Sequence, residues 1–202
     1  MQNKDFGGIH IEGHIKIWDP NSKEIYINKR NAIHYENMSV ALANAIANSG
    51  SGIISEMAFG NGGTAVDPTG IITYLTPNTT GINASLYNET YSKIVDDTNS
   101  ANSNPVRNYL ETRHVTGTTY TDVFVTCLLD YGEPNGQEAF DNTTNSESLY
   151  VFDELGLVAK SESGEKRLLT HVIFHPVQKS LNRLIQIDYT VRIQSLTGLM
   201  GM

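Results

Sequence analysis

Histidine and cysteine are the residue types in this 202-residue chain most able to bind metals or act as nucleophiles. Two histidine pairs, His10 with His14 and His171 with His175, are spaced four residues apart. That spacing brings two zinc ligands together on a helix, but in a strand it separates them by about 13 Å. Both pairs lie in sequence typical of strands. We therefore interpret these histidines as solvent-facing strand residues, and we expect no metal or other cofactor.

The remaining candidates for chemistry are one thiol and several carboxylates. Cys127 lies in the apolar run 122–129, and a lone cysteine there is usually a small core residue, because a reactive thiol needs exposed, electropositive surroundings. Asp153 and Glu154 could pair with other carboxylates as glycosidases require, but sequence alone does not place them. The loop that begins at Asp96 could hold Ca²⁺, although it lacks the glycine and final glutamate of an EF-hand. We predict no catalytic residue and interpret the protein as not an enzyme.

A glycine-rich segment, Phe59-Gly60-Asn61-Gly62-Gly63-Thr64, follows the apolar run 53–59. Glycine and asparagine tolerate positive φ angles, so this order predicts a short strand that leads into a sharp turn. A glycine-rich turn can also cradle phosphate, but that use needs a helix directly afterwards, with a lysine and a hydroxyl at fixed spacing. Asp67, Pro68 and Gly70 follow instead, which disfavours nucleotide binding.

Two further motifs follow this segment, Leu86-Tyr87-Asn88-Glu89-Thr90-Tyr91 and Phe152-Asp153-Glu154-Leu155-Gly156-Leu157. The order of the three motifs resembles the amino-terminal region of the tail-collar fibre proteins of tailed bacteriophages. In that family a glycine-rich segment precedes a Leu-x-Asn-Glu-x-Tyr segment and a later Leu-Gly-Leu segment. The matching residues here are Gly60, Gly62, Gly63, Leu86, Asn88, Glu89, Tyr91, Leu155, Gly156 and Leu157.

The resemblance covers residues 53–161 and implies a structural protein of the virion, synthesised in the host cytoplasm. No collagen-like, coiled-coil or fibrous extension follows the motifs, which departs from the family pattern. We therefore expect a stand-alone neck, collar, baseplate or fibre-adaptor subunit. It would form a homo-oligomer and contact other virion proteins of the neck, tail or fibres.

Composition and charge agree with a β-rich structural protein. Charged residues make up only 18% of the chain, and Gly, Asn, Thr and Ser are abundant, which favours strands joined by polar loops over a helical bundle. The net charge of −8 argues against non-specific binding to DNA or to an anionic membrane, since both depend on clusters of Lys and Arg. We expect neither nucleic-acid nor membrane partners.

The hydrophobic periodicity predicts a mainly β fold, a β-sandwich-like antiparallel domain with one packed α-helix and long loops. We expect a flexible N-terminal arm over residues 1–8, a single domain over 9–194 and a flexible C-terminal tail over 195–202. The spacing of Met38, Leu42, Ala45 and Ile46 predicts the helix over about 37–48, capped by Asn37 or Ser39 and ended by Gly50. Other patterns predict strands over 84–95, 168–174 and 184–194, with a turn at 176–180.

Assembly contacts are the functional residues that we expect in such a protein. The loop 132–147 is long for a connector, and the tail is apolar, so both are candidates for contact with a neighbouring subunit. Tyrosine is favoured at interfaces, although tyrosines in a strand also serve the core. The predicted contact residues are Phe59, Asn61, Tyr87, Tyr91, Asn135, Phe140, Leu199 and Met200.

Two alternatives stay open at this point. The first is a capsid decoration protein, which would use the same kind of noncovalent contacts. The second is a module that binds or cleaves host glycans, which would need an exposed groove lined by aromatic or carboxylate side chains. Trp18 is the only tryptophan available for such a groove.

Overall fold

The computed structural model describes residues 7–134, 149–160 and 164–196. Two antiparallel sheets face each other, and their inner faces share one hydrophobic core, as predicted for a β-sandwich. The predicted contacts Asn135, Phe140, Leu199 and Met200 lie outside the described residues, as do most of the 1–8 arm, the 132–147 loop and the 195–202 tail.

The five-stranded sheet contains both ends of the described chain. Its strands are β1 (Gly8–Trp18), β2 (Ile25–Arg30), β8 (Tyr109–His114), β9 (Tyr120–Leu129) and β13 (Ile185–Leu196), in the spatial order β2-β1-β13-β9-β8. The inner face is apolar because alternate residues of β1 and β13 point inward, among them Ile15, Ile17, Ile187 and Tyr189. Cys127 lies on the same face of β9 and is fully buried, which confirms its prediction as a small core residue.

The six-stranded sheet holds the other half of the core. It comprises β3 (Ala32–Ile33), β4 (Ile54–Gly60), β7 (Glu89–Ile94), β10 (Leu149–Lys160), β11 (Lys166–Leu168) and β12 (Thr170–Ser180). The main path runs β3-β12-β10-β4-β7, and β11 pairs with β10. Phe59 and Phe152 meet edge to face in its core layer, with ring centroids 5.5 Å apart.

One helix and one small hairpin complete the described fold. Helix α1 spans Tyr35–Ile46, and the hairpin consists of β5 (Thr64–Val66) and β6 (Ile72–Tyr74). Within the described ranges, no helix is long and apolar enough to span a membrane.

The predicted helix was correct in type but displaced. His34, not Asn37 or Ser39, is the N-cap, because its ring Nδ1 accepts a hydrogen bond from the Asn37 N–H. Asn37 is buried inside the first turn, where its amide donates to the Leu168 carbonyl. The helix ends at Ile46, ahead of the predicted end at Gly50.

Two strand predictions also need correction. The predicted 84–95 strand shrinks to Glu89–Ile94, because the N–H groups of Tyr87 and Asn88 donate to a side chain instead of a neighbouring strand. The predicted turn at 176–180 belongs to β12, which continues to Ser180. Pro176 is accommodated where the pairing of β10 and β12 changes register, a position at which a missing N–H costs no ladder bond.

Candidate functional site

Two consecutive carboxylates of β10 project from the same face of the six-stranded sheet. Phe152 faces the core, and so does Leu155, three residues later. Strict alternation would place side chains three apart on opposite faces, so the strand shifts phase between them. The register change between Phe152 and Glu154 marks this shift. Asp153 and Glu154 therefore both point outward, away from the core.

A segment of chain covers these carboxylates and keeps water away from them. Residues 61–88, which include the β5–β6 hairpin, lie over the outer face of the sheet; we refer to them as the 61–88 segment. Leu86 from this segment packs with Ala58, Val158 and Leu168 in a small second apolar cluster. As a result Asp153 is only 3% exposed, and Glu154 is fully buried.

Glu154 holds the 61–88 segment at both of its ends. Its Oε1 accepts hydrogen bonds from the Gly62 N–H at 3.1 Å and the Asn88 N–H at 2.8 Å. Its Oε2 accepts from the Tyr87 N–H at 3.0 Å and from His171 Nε2 at 2.9 Å. Four donors around one buried carboxylate satisfy its lone pairs and fix the backbone that supplies them.

The hydrogen bonds around Glu154 also determine its ionisation. Burial alone would raise the pKa of this carboxyl. The bonds from His171, Asn88, Tyr87 and Gly62 favour the charged form and more than offset that effect, so the pKa lies below its ordinary value. Glu154 is therefore a buried anion at neutral pH.

His171 is part of this cluster, which corrects the prediction of a solvent-facing histidine. It is fully buried, and its Nδ1 accepts a hydrogen bond of 2.7 Å from the Asn78 N–H. Because a backbone N–H can only donate, Nδ1 carries no proton and Nε2 donates to Glu154. The neutral ring thus connects β12 to the middle of the 61–88 segment. We call Asp153, Glu154 and His171 the anchor cluster.

Asp153 holds the glycine-rich turn from the other side. Its Oδ1 accepts from the Gly63 N–H at 2.9 Å, and its Oδ2 accepts from the Thr64 N–H at 2.9 Å and from the Thr64 hydroxyl. Burial is the largest influence on the pKa of Asp153 and raises it, although these bonds act in the opposite direction. The two carboxylates together bind the backbone at positions 62, 63, 64, 87 and 88.

The glycines of the turn are needed for close approach, not for backbone conformation. None of Gly60, Gly62 and Gly63 has a positive φ angle, so the reason given by the sequence pattern was wrong. A Cβ on Gly60 would lie 2.4 Å from the Asn88 carbonyl oxygen, and one on Gly62 would lie 2.8 Å from the Asn88 N atom. Only glycine allows the turn to come this close to its neighbours.

The three motifs singled out in the sequence therefore meet in space. The glycine-rich segment supplies N–H donors, the Leu86–Tyr91 motif supplies two more, and the Phe152–Leu157 motif supplies the acceptors. Sequence reasoning had grouped these motifs by order alone and had missed His171, Asn78 and Thr64. The break in alternation between Phe152 and Leu155 was the signal that could have revealed the paired carboxylates.

The other predicted contact residues differ in how far they are exposed. Phe59 is fully buried in the core, so its side chain is not available to a partner. Tyr91 is half-buried against the core, with its ring centroid 6.0 Å from that of Phe59. Asn61 accepts a bond of 2.6 Å from the Asn88 amide. Tyr87 is 47% exposed and donates its hydroxyl to the Thr76 carbonyl, so it remains a candidate for contact.

The residues first considered for chemistry do not gather into a metal site. Among the described residues, no group of three or more His, Cys, Asp or Glu side chains is placed to hold a metal ion. His175 is exposed and contacts Tyr74, unlike its buried partner His171. Asp96 closes its own loop by accepting from the Thr98 N–H at 2.9 Å. Burial raises the pKa of the Cys127 thiol to about 12, so it is an unreactive thiol.

The outward surface of the 61–88 segment is almost free of charge, and it exposes large apolar side chains among uncharged Thr, Asn and Ser residues. Asp67 is its only charged residue. Six large apolar side chains in it are exposed, with exposed fractions from 40% at Ile82 to 63% at Val66. The others are Ile71, Tyr74, Leu75 and Tyr87.

Comparison with known proteins gave no match among protein-family models, curated protein sequences or solved structures. The resemblance to tail-collar fibre proteins therefore depends on the three motifs and their order.

Proposed function

We propose that this protein is a structural subunit of a tailed-phage particle, in which it connects tail components or anchors tail fibres by noncovalent contacts. It would form a multimer at the neck, collar or tail. The observation that carries this proposal is the 61–88 segment, which presents apolar side chains to solvent while the anchor cluster holds its backbone. Exposed apolar patches of this kind mark interaction surfaces in soluble proteins.

The anchor cluster supports a positioning role. Both oxygens of Glu154, both oxygens of Asp153 and both ring nitrogens of His171 already have hydrogen-bond partners in the backbone or in each other. A catalytic group needs an atom that can reach a substrate, whereas these atoms hold chain segments. The chemistry of the cluster is therefore the fixing of an interface in one shape before it binds, which reduces the entropy lost on association.

The resemblance to the tail-collar fibre family supplies the biological setting. Three of its matching residues, Gly62, Gly63 and Asn88, donate backbone N–H groups to the anchor cluster. A capsid decoration protein would use the same surface in the same way, and it is the first alternative in this class.

Incorporation into particles tests the proposal. In a phage that carries this gene, we expect purified, salt-washed particles to contain the chain at a fixed copy number, measured by quantitative mass spectrometry. The double variant V66S/I71S should lower that copy number at least tenfold, because it removes apolar surface from the 61–88 segment. V115S is the matched control, since Val115 is exposed in the β8–β9 turn. Absence of the wild-type chain from washed particles would contradict the proposal.

Glycan binding is the second candidate, and one cavity favours it. A cavity of about 390 Å³ beside β2 and β12 has both apolar and polar side chains in its lining, and the polar ones include Glu24, His175, Gln178 and Arg183. Arg183 also stacks on the nearby Tyr26 ring at 4.6 Å, which leaves less aromatic surface for a sugar. Binding of the purified protein to host surface glycans, lost in R183A, would favour this candidate; no binding would eliminate it.

A further inference from the structure

Two buried histidines hold the middle of the 61–88 segment, whereas the carboxylates of the anchor cluster hold its ends. His171 Nδ1 accepts a hydrogen bond of 2.7 Å from the Asn78 N–H, and His34 Nε2 lies 2.9 Å from the Gly81 carbonyl oxygen. Both histidines are fully buried. They come from different elements, because His171 lies in β12 and His34 is the N-cap of helix α1. The middle of the segment is thus attached to the sandwich at two points through histidine rings.

Both rings are neutral in the arrangement that makes these bonds. His34 Nδ1 accepts from the Asn37 N–H at 3.2 Å, as His171 Nδ1 accepts from the Asn78 N–H. A backbone N–H can only donate, so Nδ1 carries no proton in either ring and Nε2 is the donor. A second proton, on Nδ1, would place two N–H groups face to face. Each ring must therefore stay neutral or lose a bond.

The groups around His171 determine which bond a proton would break. Glu154 of β10 accepts from Nε2 at 2.9 Å, and this bond survives protonation of the ring and becomes an ion pair. The Tyr87 ring lies 5.7 Å from the imidazole. Lys29 and Arg30 of β2 line the cavity of about 140 Å³ that His171 also lines. The bond from the middle of the segment is the one that would be lost, because its N–H would face the new proton.

The His34 ring is hydrogen-bonded to backbone groups alone within the described chain. These partners are the Asn37 N–H and the Gly81 carbonyl. Glu36, in the first turn of the same helix, is exposed, and Asp67, the only charged residue of the segment, lies in the hairpin turn. A charge in a fully buried site without a paired group is costly. A protonated His34 would therefore move toward solvent and release the Gly81 carbonyl.

We infer that protonation of His34 and His171 in mild acid releases the middle of the 61–88 segment, residues 75–84, while its ends stay attached. The ends are bonded to Asp153 and Glu154 instead of histidine. An exposed histidine titrates near about pH 6.5, whereas ordinary carboxyl groups titrate near about pH 4. The two kinds of attachment therefore respond to different pH ranges.

The consequence of this release is an interface whose shape depends on pH. Leu75 and Ile82 lie in the middle of the segment and are 43% and 40% exposed. Release would free them from a fixed position, while the segment would remain joined to the sheet at both ends. This inference rests on the proposed role of the 61–88 segment as an interface, and it adds regulation by acid.

Hydrogen exchange of the isolated chain at about pH 7.5 and about pH 5.5 tests this inference. The Asn78 and Ala84 N–H groups are hydrogen-bonded in the attached segment and serve as reporters. Because only the released form accommodates the extra proton, this change of pH should favour release by roughly tenfold for each histidine. By mass spectrometry, after correction for intrinsic exchange rates, we expect protection at 75–84 to fall at least tenfold. Protection at residues 62–64 and 87–88 should change less than twofold.

Asparagine in place of each histidine keeps an acceptor but cannot take a proton. H34N places a preferred N-cap residue at the start of α1, and H171N keeps an oxygen that can accept from Asn78. We expect H34N/H171N to lose the difference between the two pH values and each single variant to retain part of it. H175Q is the matched control, because His175 is exposed in the same strand and lies 3.3 Å from the Tyr74 hydroxyl. It should respond to pH like the wild type.

Three results would overturn the inference: equal protection of the wild type at both pH values, a double variant that responds to pH like the wild type, or a loss of protection at the ends together with the middle. These results are separate from the particle test, since exchange is measured on the isolated chain. A chain that is incorporated into particles but shows no acid response would overturn the acid release alone. An acid response in a chain that is absent from particles would overturn the phage assignment alone.

Discussion

Replacing Glu154 by glutamine should release the 61–88 segment while the sandwich stays folded. Glutamine has nearly the same shape, but one of its two terminal groups is an N–H donor. Two of the four donors around Glu154 would then face another donor inside a fully buried site. Hydrogen bonds to charged groups contribute roughly 1.5–3 kcal/mol each, so the loss of two of them costs about 3–6 kcal/mol.

We therefore expect E154Q to weaken the attachment of the 61–88 segment to the sheet by about 3–6 kcal/mol. A loss of about 3 kcal/mol corresponds to a decrease of roughly a hundredfold in the protection of an amide from hydrogen exchange. The Tyr87 and Asn88 N–H groups donate to Glu154, so their exchange should respond directly. Exchange measured by mass spectrometry on peptides covering residues 61–88 gives this protection.

Two controls separate local release from global unfolding. Trp18, the only tryptophan, lies in β1, so its fluorescence during denaturant unfolding reports on the sandwich. E24Q is the matched substitution, because the Glu24 side chain is 64% exposed and its loss should change stability by less than about 0.5 kcal/mol. If E154Q exchanges like the wild type at residues 87 and 88, the anchoring role of Glu154 is refuted.

The same carboxylate predicts the response to acid. The pKa of Glu154 is lower in the folded protein than its ordinary value of 4.5. Its contribution is therefore fully present above that ordinary value, and it disappears as the pH falls through the lower folded-state pKa. We expect the stability difference between wild type and E154Q to be constant near neutral pH and to shrink below about pH 4. A difference that does not change with pH would contradict the ionised state of Glu154.

Three further outcomes follow from the buried groups and the close backbone contacts. G60A should lose about 1–3 kcal/mol of stability in denaturant unfolding, because its Cβ would meet the Asn88 carbonyl at 2.4 Å. In the G8A control the nearest atom is at 3.6 Å, so a similar loss there would contradict this reason. Burial lowers the pKa of Lys179 from 10.5 to about 8, so the unfolded chain binds more protons in between. The stability of the wild type relative to K179M should thus rise by up to about 1.4 kcal/mol per pH unit from about pH 8 to 10. Finally, Cys127 should react with a thiol reagent only after denaturation, and full labelling of the native protein would contradict its burial.

The sandwich could be predicted from the sequence because its strands follow the two-residue period closely. In β1 and β13 the alternation of apolar and polar residues continues over ten residues or more, and the paired strands have those lengths. The predicted boundaries of helices and strands were less accurate where a side chain replaced the backbone as a hydrogen-bond partner. His34 caps helix α1 although histidine is not among the preferred caps, and this depends on its burial beneath the Gly81 carbonyl, 2.9 Å from Nε2.

The anchor cluster could not be predicted because its members come from distant parts of the chain. Glu154 lies 92 positions from Gly62 and 66 from Asn88, and no local pattern records such a pairing. The pattern of β12 alone predicts a solvent-facing His171, because the residues that cover this side chain belong to the 61–88 segment. The sequence showed the order of the three motifs, but only the fold shows that they meet at one site.

Hydroxyl-radical labelling of tyrosines most directly tests whether the 61–88 segment is an assembly surface. In the isolated chain, Tyr74, Tyr87 and Tyr35 are 54%, 47% and 65% exposed and should all react. In the assembled protein or in particles, we expect labelling of Tyr74 and Tyr87 to fall at least fivefold, while Tyr35, which lies outside the segment, reacts as before. Equal labelling of Tyr74 and Tyr87 in the free and assembled states would contradict the central claim.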